Sequence, residues 1–173
     1  MQIHNGHPRL RFARAAVVRA IRLLDAHARE IVGSRPAAHR HPPTASRPST
    51  FALRRSTPPG ELSITFLTDA ALAGLHGRFL KDPSATDVIT FAGDPAQGQA
   101  GEICVSVDAA RAFAQQHRRN FSEELTLYLV HGWLHLAGHD DLQPARKRRM
   151  RAAEARALRR LRAAGAVPRF RTR

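Results

Sequence analysis

From Ser122 to Gly138 the chain reads SEELTLYLVHGWLHLAG, a helix-forming run whose apolar residues fall on nearly every side of the helix. Such a helix has no solvent face of its own, so the rest of the fold has to be wrapped around it. Ser122 is placed to cap its start, Glu123 and Glu124 lie where the helix dipole favours negative charge, and Gly138 is a natural stop. Trp133 belongs to the apolar surface and reads as core, not as a platform for a nucleic-acid base. His131 and His135 stand out on this rod. They are four residues apart, so at about 3.6 residues per turn their imidazoles lie one above the other.

The motif containing them, HGWLHLAGHDD, puts three histidines and two aspartates into eleven residues of a chain with ten histidines in all. A lone histidine on a buried helix is usually a satisfied core residue. Two at this spacing, followed by a helix stop and further ligand-type side chains, form the pattern of a metal site. Zinc suits imidazole and carboxylate donors where no thiolate is near, and the spacing also admits nickel, manganese or iron. Zinc peptidases of the H-E-x-x-H type carry a glutamate after the first histidine as general base. Here that position is Gly132, so the proton acceptor of that mechanism is missing.

Around this helix the sequence alternates strand-like and helix-like segments. Ala13 to Glu30 is an amphipathic helix through Val17, Ile21 and Leu24. Leu62, Ile64 and Phe66 alternate with smaller or polar residues as in a strand, and a short helix, AALAGLHGRF, follows. Thr86 to Phe91 and Glu102 to Val107 read as two more strands. Asp108 is placed to cap a helix after the last of them. Pro144 opens a final basic helix through Met150, Leu158 and Leu161. The expected fold class is α+β: a small mixed β-sheet packed against helices, with the metal site on a buried helix and the loop after it.

As organisation, residues 1–33 supply an N-terminal strand and helix. Residues 34–60, rich in proline and arginine, read as a flexible loop in which His39 and His41 are solvated. Residues 61–164 form the metal-binding core, giving a single domain over 1–164, and 165–173 read as a basic tail. The 173 residues suffice for a core without disulfides, and the one cysteine, Cys104, reads as a buried strand residue. No apolar run approaches the roughly 20 residues that cross a bilayer, and the first residues lack a signal peptide's apolar stretch, so a soluble, cytoplasmic protein is expected.

The net charge of +14 is unevenly spread. Residues 1–60 hold eleven arginines against Asp25 and Glu30, for +9, and residues 142–173 hold twelve bases against Glu154, for +11. Residues 61–141 hold eleven acids against five bases, for −6. Basic ends around an acidic middle suit a protein that grips a polyanion and binds a cation at its centre. Arg146, Lys147, Arg148 and Arg149 form the densest cluster and are the candidate nucleic-acid contacts. Only two of the bases are lysines, a bias that a GC-rich genome also produces, so the alternative reading of the arginine count is genomic base composition.

HGWLHLAGHDD resembles the H-G-x-L-H-L-x-G-[YH]-D-H signature of the YbeY family, bacterial metal-dependent endoribonucleases implicated in rRNA maturation. TDVITF and GEICVS are similar to that family's T-D-V-[LI]-[ST]-F and G-[DE]-I-x-[IV]-S segments, and the three occur in the family's order over about residues 61–160. Two positions depart from the pattern. The third metal histidine of the family falls on Asp141, whose carboxylate is an acceptable ligand; His139, two residues earlier, aligns with a residue that is not a ligand. The arginine expected six residues before Thr86 to neutralise a phosphate falls on Leu80, with Arg78 close by.

The resemblance implies one zinc ion held by His131, His135 and Asp141, with an open position for water. A zinc so held lowers the pKa of its water from about 16 toward about 7 and polarises a phosphoryl oxygen, which is the chemistry of phosphodiester cleavage. It implies cleavage of single-stranded RNA at the 3′ end of small-subunit (16S) rRNA, a role in ribosome quality control, and the small ribosomal subunit and assembly factors as partners. Asp140 is a candidate to orient one of the histidines. Two alternatives remain at this stage: a non-catalytic RNA- or ribosome-binding assembly factor whose zinc is structural, with His139 as fourth ligand, and a zinc metallopeptidase, set back by Gly132.

Overall fold

The computed structural model describes residues 1–33, 58–80 and 86–173. The expected flexible loop, with His39 and His41, therefore lies almost wholly outside the described residues.

The elements follow in chain order as β1 (Gln2–Asn5), β2 (Leu10–Arg11), α1 (Arg14–Ala26), α2 (Ala28–Val32), β3 (Glu61–Leu67), α3 (Asp69–Leu80), β4 (Val88–Ala92), β5 (Gln99–Ser106), α4 (Val107–Gln116), α5 (Phe121–Leu136), α6 (Pro144–Ala163) and β6 (Arg171–Thr172). Four strands form one sheet in the order β1-β3-β5-β4. β1 and β5 both run parallel to β3, while β4 is antiparallel to β5, so the sheet is mixed, as the α+β reading expects.

Side-chain alternation gives the sheet two different faces. Leu62, Ile64 and Phe66 of β3, with Ile103 and Val105 of β5, are buried on the main face in one core with α1, α5 and α6. The opposite face carries Ile89 and Cys104 against Leu72 of α3. Burial there pushes the Cys104 thiol up to about 12, so it remains a protonated, inert core residue.

α5 occupies the centre of the main face. Trp133 is fully buried and its indole donates to Asp25 at 2.9 Å, which ties α5 to α1. Gly132 faces the sheet so closely that an added Cβ would sit 2.5 Å from Ile103 Cγ2. Gly138 ends the helix with φ of 92°, a left-handed conformation that favours glycine.

Local details depart from the sequence reading where another partner competes for a side chain. The helix expected over Ala13 to Glu30 is broken at His27, whose ring nitrogen bonds the Leu23 carbonyl at 3.0 Å. α5 starts two residues earlier than expected and is capped by Asn120, which accepts from the Glu123 amide at 3.2 Å. The Ser122 hydroxyl is engaged instead by the backbone of Phe170, accepting from its amide at 2.9 Å. α4 is capped by Ser106, and Asp108 in its first turn pairs with His7 at 3.1 Å. Residues 165–173 contain β6, which pairs with β2, and Phe170 packs against Phe12 and Phe66 with ring centroids 5.5 Å from each.

Candidate metal centre

His131 and His135 project from one face of α5 with ring centroids 4.5 Å apart and ring planes at 84°. Their Nε2 atoms face each other at 2.9 Å. Asp141, in the loop after Gly138, completes the group. One donor atom from each of the three side chains lies within 4.8 Å of the other two, and all three residues are half-buried. Among the described residues this is the one group of histidine, cysteine and acidic side chains so disposed.

The outer nitrogens decide which way the rings present their lone pairs. His131 Nδ1 lies 2.7 Å from Glu154 Oε1 on α6, and His135 Nδ1 lies 3.0 Å from the carbonyl oxygen of His139. An ionised carboxylate and a carbonyl can only accept, so both Nδ1 atoms carry hydrogen and donate. In the neutral rings both Nε2 atoms then hold lone pairs, and they point at one another beside a third donor, the Asp141 carboxylate. Three converging lone-pair donors with no proton to share fit a cation of the zinc type.

Burial disfavours a charged imidazole at both rings. At His131 the hydrogen bond and charge of Glu154 outweigh burial and raise the pKa above the ordinary histidine value, whereas at His135 burial and the charge of His131 lower it.

Each candidate from the sequence now has a position. His139 is 6% exposed and contributes its carbonyl to His135; its ring Nε2 is buried without a hydrogen-bond partner among the described residues, and burial lowers its pKa. Asp140, a candidate to orient a histidine, instead receives Arg146 at 2.6 Å. The orienting carboxylate is Glu154, which the sequence reading overlooked although it is the only acid among the twelve bases of residues 142–173.

Arg146, Lys147, Arg148 and Arg149 are all exposed on the first turns of α6. Lys147 lines a cleft of about 270 Å³ together with His131, Asp141 and Glu154, and Arg151, one turn further on, lines it too. Leu80 is the last residue of α3, and its side chain lies outside the described residues. Arg78 turns back along the same helix to the Gly74 carbonyl at 3.3 Å.

A family model described as endoribonuclease YbeY matches residues 46–162. The endoribonuclease YbeY of Chlamydia pneumoniae is 42% identical over 102 residues, which are 54% of this chain and 65% of that protein. That of Myxococcus xanthus is 38% identical over 100 residues, covering 54% of this chain and 34% of its own length. The chain thus spans about two thirds of the first relative and about one third of the second. The solution structure of TM1509 from Thermotoga maritima superposes with a TM-score of 0.53 over 95% of this chain and 93% of that one, at 16% identity, a likeness of fold alone. The family match extends over well more than half of the chain and takes in α5, both histidines, Asp141 and Glu154: the chain belongs to the endoribonuclease YbeY family.

Proposed function

We propose that this protein is a metal-dependent endoribonuclease that cuts single-stranded RNA, holding one zinc ion through His131, His135 and Asp141. Its proposed substrate is the precursor of small-subunit (16S) rRNA, in maturation of the 3′ end and in ribosome quality control. The proposed setting is the cytoplasm, with the small ribosomal subunit and its assembly factors as partners. The observation that carries the reading is the convergence of three lone-pair donors, two of which, His131 and Asp141, line a cleft with Lys147 and Arg151.

When bound, zinc with three protein ligands supplies Lewis acidity and an activated water. The chain's own residues do the rest. Glu154 and the His139 carbonyl hold the two imidazoles in the tautomers that present Nε2 inward. Lys147 and Arg151 place positive charge where a phosphodiester enters. Arg146, Arg148 and Arg149, exposed on the same helix, extend the proposed contact with the RNA backbone.

Both alternatives lose ground to specific observations. A structural zinc site closes with four protein ligands, whereas the group whose donor atoms converge here has three members and does not include His139. A peptidase needs a base next to the metal, but position 132 faces Ile103, Val88 and Thr90 of the sheet, so not even a glutamate there would reach the cleft. Of the family's expected groups, the phosphate-neutralising arginine is replaced by Leu80. Loss of one such electrostatic donor costs a factor of ~100 or more, so cleavage of free RNA is expected to be slow and cleavage within a ribosomal particle faster.

The test is cleavage of small-subunit rRNA precursor, free and in particles, by the wild type and by the His131→Ala, His135→Ala double variant. Metal-dependent cleavage confined to the wild type is expected. Equal cleavage by both proteins, or none by the wild type on either substrate, refutes the reading.

A further inference from the structure

The cleft extends beyond the metal ligands. Glu124, Tyr128, His131 and His135 follow one another along α5 at spacings of four, three and four residues, so they share one helical face. Glu124 and Tyr128 line the same cleft as His131 and Asp141, with Phe113 of α4 as a further wall. Seven residues separate Glu124 from His131, about 10 Å along the axis at 1.5 Å per residue. Metal binding makes no use of this far end.

Its chemistry is unusual for a chain so basic. Glu124 is 4% exposed, and its nearest cation is the exposed Arg119, with Nη1 at 3.6 Å. Arg119 also lies over the Phe113 ring at 5.4 Å, and the other aromatic neighbour of Phe113 is the stacked ring of His117 at 3.9 Å. Burial raises the Glu124 pKa, while Arg119 and the positive end of the α5 dipole favour the ionised form. The Tyr128 hydroxyl is kept protonated by burial and by the nearby acids Asp87 and Glu124. When Glu124 is ionised, the pocket holds an acceptor-only carboxylate one helical turn from the Tyr128 hydroxyl, against the wall that Phe113 provides.

We propose that this end of the cleft is a base subsite selective for guanine, in which Glu124 determines specificity and Tyr128 assists it. The inference rests on the endoribonuclease reading above. Single-stranded RNA is read through the Watson–Crick edges of unstacked bases. On that edge guanine alone presents two adjacent N–H donors, N1–H and the N2 amine, beside the O6 acceptor. Adenine and cytosine place one amine beside a ring acceptor, and uracil places one N–H between two carbonyls. A carboxylate, which can only accept, pairs with both groups of guanine and with at most one of any other base. The Tyr128 hydroxyl donates to O6. A nucleotide flanking the scissile phosphate spans the interval to the metal ligands.

The test is binding of the full chain to fluorescently labelled short oligouridines carrying guanosine, adenosine, cytidine, uridine or inosine at the centre, read by anisotropy. A bidentate base contact is worth a selectivity of about 5- to 150-fold, and that is the expected preference for guanosine. Inosine lacks the N2 amine and is expected to lose most of the preference on the wild-type protein, with no variant involved. Glu124→Gln converts one acceptor into a donor and is expected to level the bases. Equal binding of all the RNAs by wild type that still cleaves in a metal-dependent way overturns the guanine subsite and leaves the endoribonuclease reading intact. Selectivity that survives Glu124→Gln overturns it too, and absence of any RNA binding overturns both readings.

Discussion

Glu154 offers the sharpest way to test how the site is held. Its Oε1 lies 2.7 Å from His131 Nδ1, with the two side chains 16% and 19% exposed. Glu154→Gln keeps the size of the side chain and removes its charge, so a charge-assisted hydrogen bond becomes at best a neutral one, roughly half as strong. Loss of an outer partner of a metal-ligating histidine typically costs about 10- to 100-fold in metal affinity, or roughly 1.4–2.7 kcal/mol. Partial exposure of both groups places the glutamine variant near the lower end, about tenfold. Glu154→Ala leaves the ring free to turn and to change tautomer, which places it near the upper end, about 100-fold. Competition with a chromophoric zinc chelator measures both, and the alanine variant has to bind more weakly than the glutamine one. A cycle with His131→Ala isolates the route: once His131 is absent, removing Glu154 is expected to cost nothing further. Wild-type affinity in both Glu154 variants would refute the claim that this carboxylate orients His131, as would a full additional loss in the His131→Ala background.

Asp141→Ala is expected to abolish retained metal in elemental analysis while His139→Ala keeps it, because Asp141 converges on the histidines and His139 does not; the opposite result would transfer the third ligand to His139. Neutralising Lys147 and Arg151 together is expected to reduce the slope of log K against log[salt] for single-stranded RNA by about 0.7 per lost phosphate contact. Neutralising Arg146, already held by Asp140 at 2.6 Å, should change it less, and three equal slopes would place the RNA elsewhere. Gly132→Ala pushes a methyl group to 2.5 Å from Ile103 Cγ2 and is expected to lower stability by about 1–3 kcal/mol in urea denaturation; unchanged stability would mean that α5 packs less tightly on the sheet.

What the sequence makes readable here is what depends on near neighbours. Two histidines four residues apart on an apolar helix with a glycine stop determine their own geometry, so the pair and its helix can be placed before any fold is known. The alternation of Leu62, Ile64 and Phe66 likewise reports which strand face is buried. Partner choices across the fold do not show locally. β1 has a single buried residue, Ile3, so nothing in its own pattern announces that it runs parallel to β3. Ser122 and Asp108 are sound caps by type, yet each is drawn off by a distant group, Phe170 in one case and His7 in the other. The basic composition of residues 165–173 conceals Phe170, 4% exposed in an aromatic cluster, so deleting the segment would unfold part of the core as well as remove charge.

Glu154 lies between these two cases. Its partner is 23 residues away and depends on how α6 packs on α5, which no local pattern supplies. A signal was nevertheless present. In α6 the buried residues Met150, Ala153, Ala157 and Leu161 form the stripe that faces the core, and Glu154 lies at its edge, seven residues after Lys147 and three after Arg151. An acid bordering a buried stripe has lost part of its water and must regain a donor. Of the arginines that follow it in sequence, Arg156 is turned to the Ile31 carbonyl at 2.6 Å and Arg160 to Glu30 at 2.5 Å. The donor that it finds is on the facing helix, His131 Nδ1 at 2.7 Å. A lone carboxylate at the border of a basic helix's core stripe therefore points to the ring it orients, and with it to the face of α6 that looks onto the candidate metal centre.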